Sequence, residues 1–237
     1  MTNEKTIISS IFIVLILLLT YMLFAIFYPK DLTAKQIFNK NANSVVEIMA
    51  KSDAVGESYG TGEFIHSHGT IVTNAHVVTY SKLGEATTFD EYFIRFMDSD
   101  DYLAVTLIKY DRTLDIAVLE FASNAHKFKR AEINTSTKIQ SGDAVFAIGN
   151  AMNYGLAISS GIISIPLVNI SYGGISRKVI QCDITIAEGN SGGALFDSQG
   201  RLIGITTFRT KDNSGDVVYG FAYCIPITTV LEYVNQE

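Results

Sequence analysis

Cysteine, proline and positive charge are all scarce in this 237-residue chain. It contains two cysteines and three prolines, and 18 Lys and Arg residues against 24 Asp and Glu residues give a net charge of −6. Two cysteines are too few for a disulfide framework, a zinc finger or an iron–sulfur cluster. The acidic balance argues against a nucleic-acid-binding protein, which needs a basic face to meet phosphates.

Apolar residues make up 48% of the chain, too many for a disordered protein, and they concentrate in residues 7–28. This stretch has no charge, Gly or Pro, and as a helix it can cross a hydrocarbon core of about 30 Å. A cleavable signal peptide has a shorter apolar region followed by a small-x-small site, which is missing here. The sequence therefore predicts an uncleaved transmembrane helix over residues 7–28, after a short tail of residues 1–6.

The segment after this helix, residues 29–43, is polar and predicts a tether with one helical turn, in which Ile37 and Phe38 are an isolated apolar pair. Lys5 precedes the apolar helix, and three lysines follow it closely. Taken alone, the positive-inside rule would place the rest of the chain in the cytoplasm.

From Ser44 onward the chain is a series of short runs rich in Val, Ile, Tyr and Phe, separated by Gly, Asp, Asn and Ser. So many short runs in fewer than 200 residues predict an all-β sandwich or a pair of barrels. The apolar residues of the last stretch, ITTVLEYVNQE, are at helical spacing and predict a short C-terminal helix.

Three polar residues stand in unusual places among the predicted strands. His76 follows an apolar strand in TNAHVV, Asp115 opens the apolar run DIAVLEF, and Ser191 lies among glycines in GNSGGAL. Each alone is typical of a structural residue, a turn residue or a tight turn. Together, in the order His, Asp, Ser, they indicate a dispersed catalytic triad on a β scaffold.

The chemistry of acyl transfer needs these residue types. A serine hydroxyl becomes a good nucleophile when a base takes its proton, and neutral histidine is such a base. A buried carboxylate holds the imidazole in the right tautomer, and fixed N–H donors stabilise the oxyanion. Gly189 lacks a Cβ, so its backbone can direct its N–H toward the same point as that of Ser191.

The segments TNAHVV, DIAVLEF and GNSGGAL, followed by RLIGITTF, resemble those of HtrA/Deg proteases, which are chymotrypsin-like serine peptidases. The resemblance extends from about residue 44 to about residue 234. It implies two six-stranded antiparallel β-barrels, at about residues 44–135 and 136–230 of a protease domain covering residues 44–237, with the active site between them.

The same resemblance implies a role for each motif residue. His76 is the expected general base, Asp115 its orienting carboxylate and Ser191 the nucleophile. Gly189 and Ser191 are the expected oxyanion N–H donors, with Asn190 between them in the oxyanion hole.

Other titratable residues have plainer interpretations. Asp111 lies in the turn YDRT and is expected to be a solvated turn residue rather than the triad carboxylate. His66 and His68 flank a predicted hairpin turn, and a His-x-His pair can bind a metal, but no set of Cys or carboxylate partners is visible. We therefore expect neither a metal site nor a cofactor.

The resemblance also locates the pocket for the residue preceding the cleaved bond. Thr185 stands six residues before Ser191, where enzymes that cut after Arg or Lys carry an acid. Ile186 and Ala187 follow it, and Phe208 is expected on the opposite wall. These residues predict cleavage after Val, Ala, Ile or Leu.

We therefore expect a membrane-anchored serine endopeptidase that degrades unfolded or damaged proteins, with its protease domain outside the cytoplasm as the resemblance implies. About 40 residues follow GNSGG, too few for a PDZ domain, so none is expected. Relatives are often trimers, and Ile37 and Phe38 are candidates for such a contact.

Three questions stay open at this stage. A protease-fold scaffold that binds clients without cleaving them is one alternative function, and a processing protease with one membrane-linked substrate is another. Cys182 and Cys224 lie on runs that are close in this fold, and they can be either a cross-strand disulfide or two buried thiols.

Overall fold

A computed structural model describes residues 2–27, 30–121, 128–136, 138–172, 174–211 and 217–236. The chain divides into two compact units, Met1–Asp31 and Leu32–Glu237. The first unit contains one long helix, α1 (Thr2–Phe27). The segment Thr6–Leu23 of this helix has a mean hydropathy of 2.6, and none of it is buried. By length and composition α1 can span a membrane, as the sequence predicts, and an N-terminal signal sequence has the same two properties.

The second unit begins with α2 (Ala34–Asn41), which occupies most of the segment expected to be a tether. Thr33 and Gln36 form a reciprocal capping box at its start, which satisfies two N–H groups of the first turn. Ile37 is fully buried in the core of this unit. It is therefore inaccessible to another copy of the chain, and the expectation that it contributes to a trimer contact is wrong.

A closed six-stranded barrel, the first barrel, follows a short 3₁₀ turn at Ala42–Ser44. Its strands are β1 (Val45–Ser52), β2 (Gly56–Phe64), β3 (Thr70–Thr73), β6 (Glu91–Arg95), β7 (Leu103–Asp111) and β8 (Ile116–Glu120), and β4 (Thr79–Lys82) and β5 (Glu85–Thr88) pair separately. The ring order is β1-β2-β3-β8-β7-β6, and β1 closes it by pairing with both β2 and β6. All its pairs are antiparallel.

The remaining elements are β9 (Ala144–Gly149), β10 (Ala157–Tyr172), β11 (Ile175–Cys182), β12 (Ala194–Asp197), β13 (Leu202–Lys211) and β14 (Val217–Pro226), with short helices α3 (Ala75–Val78) and α4 (Ile227–Val234) and a 3₁₀ turn at Ala151–Asn153. The six strands form a second ring in the order β10-β11-β14-β13-β12-β9, again with antiparallel pairs. The expected all-β fold, a six-stranded barrel and the short C-terminal helix are thus confirmed.

One apolar cluster joins the first barrel to the second ring. Val45 and Ile116 contribute to it from the first barrel, Phe196 and Ile225 from the second ring, and Val230 from α4. Burial of apolar surface on both sides stabilises this seam by about 25 cal/mol for each Å² removed from water. The loops at the interface between the first barrel and the second ring are therefore held by packed elements on both sides.

The two cysteines lie in the core of the second ring. Cys182 on β11 and Cys224 on β14 are fully buried free thiols. Cys182 pairs in register with Ala222, and Cys224 pairs with Ile180, so the cysteines are diagonal neighbours. A hydrogen bond with Cys182, together with burial, raises the pKa of the Cys224 thiol well above its ordinary value. The Cys224 thiol is therefore protonated and unreactive.

Candidate active site

His76 and Asp115 are brought together by the pairing of β3 with β8. Thr73 at the end of β3 is opposite Ala117 on β8, so α3 follows one strand just where Asp115 precedes the other. The Nδ1 atom of His76 lies 2.9 Å from Oδ2 of Asp115 and 3.0 Å from Oδ1. The backbone N–H of His76 also donates to Oδ1, at 3.1 Å.

The Asp115 carboxylate is buried, whereas the His76 side chain is about half exposed. Burial raises the pKa of Asp115, but hydrogen bonds from the His76 ring, the Thr207 hydroxyl and the His76 backbone outweigh it and lower the pKa. Asp115 has a positive φ of 60°, and Asn74 donates to its carbonyl at 3.0 Å. Asp115 is therefore ionised and held from several sides.

Thr207 on β13 is a further residue of the site, and it contacts both Asp115 and Ser191. The sequence did not predict this role for Thr207. Its hydroxyl donates to Oδ2 of Asp115 at 2.6 Å, and its carbonyl accepts from Oγ of Ser191 at 3.2 Å. No hydrogen bond joins Ser191 to His76 within the described ranges. The only signal in the sequence is the pair of threonines that interrupts the apolar run LIGITTF.

The turn around Ser191 depends on glycines. Gly189 has a φ of +90° and Gly192 a φ of +82°, a region that L side chains avoid. A Cβ on Gly189 would lie 2.1 Å from the Asn150 carbonyl oxygen. The backbone of the turn is closed by hydrogen bonds from the Asn190 N–H to Ala187 and from the Gly193 N–H to Asn190, and the Gly192 N–H donates to Thr206.

The N–H groups of Gly189 and Ser191 have no acceptor in the described part of the chain. The carbonyl of Glu188 accepts from the Met152 N–H at 2.7 Å, and a trans peptide directs the Gly189 N–H away from that carbonyl. The side-chain Oδ1 atom of Asn190 is also buried, and it has no hydrogen-bond partner among the described residues.

The four residues predicted for the substrate pocket differ in exposure. Ile186 is buried with the core of the second ring, while Thr185 is exposed and Ala187 is half-buried. Phe208 lies opposite Tyr223 on β14, and their ring centroids are 5.2 Å apart. Charged side chains are absent from these four positions.

Asp111, His66 and His68, the other titratable residues considered from the sequence, make none of the hydrogen bonds described above for the triad residues. Asp111 accepts the Leu114 N–H at 2.9 Å and so caps the turn before Asp115. The rings of His66 and His68 stack with centroids 5.1 Å apart. In the part of the chain that the structure describes, no three His, Cys, Asp or Glu side chains form a group that could hold a metal ion.

Residues 60–205 match the profile of the trypsin-like peptidase domain. The chain belongs to the trypsin-like serine peptidases and is of HtrA type. One relative is a probable periplasmic serine endoprotease, DegP-like, of Bartonella henselae, with 34% identity over 179 residues. The aligned region covers 76% of this chain and 33% of that protein. The chain is also 32% identical over 202 residues to the serine endoprotease DegS of Salmonella typhimurium. This aligned region covers 84% of this chain and 52% of DegS.

The fold is also similar to those of solved protease structures. The HtrA-type protease AlgW, solved with a tripeptide, superposes with a TM-score of 0.73 at 27% identity, over 86% of this chain and 62% of that one. A serine endoprotease from Yersinia pestis superposes with a TM-score of 0.67 at 26% identity, over 86% and 66%. This HtrA-type chain spans about a third of the length of the DegP-like relative and about half that of DegS.

Proposed function

We propose that this chain is a serine endopeptidase in which Ser191 is the nucleophile, His76 the general base and Asp115 the carboxylate that orients it. The observation that carries the proposal is the buried Asp115 carboxylate, 2.9 Å from Nδ1 of His76. A proton held on Nδ1 by this contact leaves the lone pair of Nε2 free to accept the Ser191 proton.

In the proposed mechanism the Ser191 hydroxyl leaves the Thr207 carbonyl, gives its proton to Nε2 of His76 and attacks the substrate carbonyl. The N–H groups of Gly189 and Ser191, on either side of Asn190, stabilise the oxyanion. The imidazolium then protonates the leaving amine, and an acyl-enzyme ester forms on Ser191. A water molecule, deprotonated by His76, hydrolyses this ester and releases the second product.

We propose that the preferred substrates are unfolded or damaged proteins, cut after Val, Ala, Ile or Leu. The pocket assigned to Thr185, Ile186, Ala187 and Phe208 supports this preference because it offers no fixed charge to a basic side chain. In this proposal Ile186 contributes an apolar side chain to the pocket, and it packs with the core of the second ring.

We also propose that α1 is an uncleaved membrane anchor and that the protease domain lies outside the cytoplasm. The exposed apolar surface of Thr6–Leu23 supports the anchor, and the DegP-like relative is named periplasmic. A homotrimer is the proposed assembly. Because Ile37 is buried, residues other than Ile37 must form the contacts between the three copies.

The test uses the full chain in detergent micelles, a fluorescent fluorophosphonate and casein. We expect the wild type to be labelled and to degrade casein, and Ser191→Ala to lose both activities. Ser141→Ala is the matched control, because Ser141 is an exposed serine whose hydroxyl donates to the Ser164 carbonyl at 2.9 Å. It should keep both activities.

Three outcomes would contradict parts of the proposal. Labelling that persists in Ser191→Ala would place the nucleophile elsewhere. A folded wild type that is neither labelled nor active would favour the client-binding scaffold. Casein fragments that end mainly in Arg or Lys, as read by mass spectrometry, would overturn the assignment of the pocket.

A further inference from the structure

Thr61 on β2 is a fully buried residue of the first barrel that contacts the turn bearing Ser191. Its hydroxyl donates to the Gly189 carbonyl at 2.7 Å and accepts from the Asn150 N–H at 2.9 Å. A hydroxyl carries one hydrogen, so these two partners fix its direction. The Thr61 N–H also donates to the Ser191 carbonyl, at 2.9 Å.

These contacts hold the peptide unit that follows Gly189. The unit that precedes it is held separately, because the Glu188 carbonyl accepts from Met152 at 2.7 Å. A peptide unit is planar and trans, so the hydrogen bond from Met152 sets the direction of the Gly189 N–H. The hydrogen bond from Thr61 sets the plane of the next unit, through which the turn continues from Gly189 to Ser191. Gly189 itself has the conformational freedom to turn, since it has no Cβ.

Thr61 also joins the two halves of the site. Asn150 directly follows β9 of the second ring, and its backbone oxygen is the atom that a Cβ on Gly189 would meet at 2.1 Å. The hydroxyl of one residue on the first barrel therefore connects this loop to the turn of Ser191. Its burial excludes water as a substitute partner for either group.

We propose that Thr61 is a positioning residue, which acts through Gly189 to hold the two N–H groups that receive the oxyanion. This inference rests on the proposed function. Removal of an oxyanion donor itself lowers kcat by about 10²–10³-fold. Because Thr61 acts through the donor, we expect its hydroxyl to contribute about 10- to 100-fold to kcat and little to KM.

The experiment compares Thr61→Val and Thr61→Ser with the wild type, as full chains in detergent micelles. Valine keeps the shape but has no hydroxyl, so the Gly189 carbonyl loses its donor and the Asn150 N–H its acceptor. Serine keeps the hydroxyl. Initial rates over a range of fluorescent casein concentrations give kcat and KM separately, and circular dichroism gives the melting temperature.

Ser44→Ala is the matched control for the loss of a buried hydroxyl. Ser44 is as buried as Thr61, and its hydroxyl donates to the Asn41 carbonyl, also at 2.7 Å, away from the Ser191 turn. We expect Thr61→Val to lower kcat about 10- to 100-fold with KM within about threefold. We expect Thr61→Ser to stay within about threefold of the wild type, and Ser44→Ala to keep kcat.

The inference is overturned if Thr61→Val keeps kcat within twofold, or if Thr61→Ser loses as much as Thr61→Val. It is also overturned if Ser44→Ala loses kcat equally, since the effect would then be one of general stability. If Thr61→Val does not fold, Thr61→Cys replaces it, because a thiol is a weak donor of similar size to serine. A wild type that reacts with fluorophosphonate supports the proposed function independently of the Thr61 variants.

Discussion

Two buried carboxyl groups of the first barrel have opposite surroundings. Asp115 accepts hydrogen bonds from His76 and Thr207 and is ionised despite its burial. Glu63 on β2 is fully buried, and neither of its carboxyl oxygens has a hydrogen-bond partner among the described residues. The nearby Ser44 hydroxyl donates to the Asn41 carbonyl instead. Burial raises the pKa of Glu63 well above its ordinary value, and the nearby Ser44 hydroxyl and Ala131 backbone offset this increase only in part.

The raised pKa of Glu63 makes the stability of the fold depend on pH. In the unfolded chain a glutamate loses its proton near pH 4.3, whereas the folded chain keeps it to higher pH. The free energy of unfolding therefore falls as pH rises from about 4.3 toward the raised pKa. We expect Glu63→Gln, which does not titrate, to gain stability relative to the wild type as pH rises from 5 to 8.

Urea unfolding of both full chains, followed by circular dichroism at pH 5, 6.5 and 8, measures this difference. Taking the difference between the two proteins at each pH cancels the contributions of the other titrating groups. Glu85→Gln is the control, since Glu85 is exposed and should show no such trend. Unfolding free energies that stay parallel for wild type and Glu63→Gln across the pH range would show that Glu63 is ionised in the folded state.

At the scale of elements, the Ser191 turn and a neighbouring 3₁₀ turn both belong to the second ring of strands. The turn of Ser191 lies between β11 and β12, and the 3₁₀ turn Ala151–Asn153 lies between β9 and β10. Met152 and Asn153 have positive φ values of 59° and 60°, and the Met152 N–H binds the Glu188 carbonyl. Left-handed residues of this kind store backbone strain, which the surrounding contacts must hold in place.

Gly189→Ala tests this close approach of two turns. The added Cβ would lie 2.1 Å from the Asn150 carbonyl oxygen, and the residue would keep an unfavourable φ of +90°. We expect the chain to fold, the Gly189 N–H to be displaced and the rate of fluorophosphonate labelling to fall at least about 100-fold.

Gly142→Ala is the matched control for Gly189→Ala. Gly142 also has a positive φ, +95°, but nothing lies within 4 Å of its added Cβ. It separates the cost of backbone strain from that of the clash, and its labelling rate should stay near that of the wild type. Equal losses in the two variants would mean that strain, rather than the contact with Asn150, governs the turn.

At the scale of the whole molecule, the long apolar helix and the protease domain are separate compact units. Every described side chain of α1 between Thr6 and Leu23 is exposed, and many are large and apolar. Exposure of so large an apolar surface to water is unfavourable, so a lipid bilayer is the environment that we propose for it.

Flotation with lipid vesicles in alkaline carbonate tests the anchor. We expect the full chain to float with the vesicles, and a variant without residues 2–27 to remain in the dense fraction. Mass spectrometry of the floated protein should find the intact N-terminus. Flotation of the shortened variant would assign membrane binding to the protease domain, and a new N-terminus just after residue 28 would indicate a signal sequence.

Much of the site could be predicted from sequence because the chemistry is carried by short motifs. His76, Asp115 and Ser191 lie in segments whose pattern of small and apolar residues is specific, and the structure brings the first two into direct contact. Ile37 shows the limit of this reasoning. Its place in a polar segment predicts an exposed contact residue, whereas the folding of α2 onto the core buries it.

The sequence by itself determined the β character of the chain after residue 44, the position of the apolar helix and the triad candidates, because each depends on local periodicity or on residue type. The tertiary structure alone decided the contacts of Thr61 and Thr207 and the burial of Glu63. These residues have no distinctive neighbours in the sequence, and their partners are 16 to 128 residues away along the chain, or absent among the described residues. Hydrogen bonding and burial at such separations exist only once both rings of strands have closed and packed together.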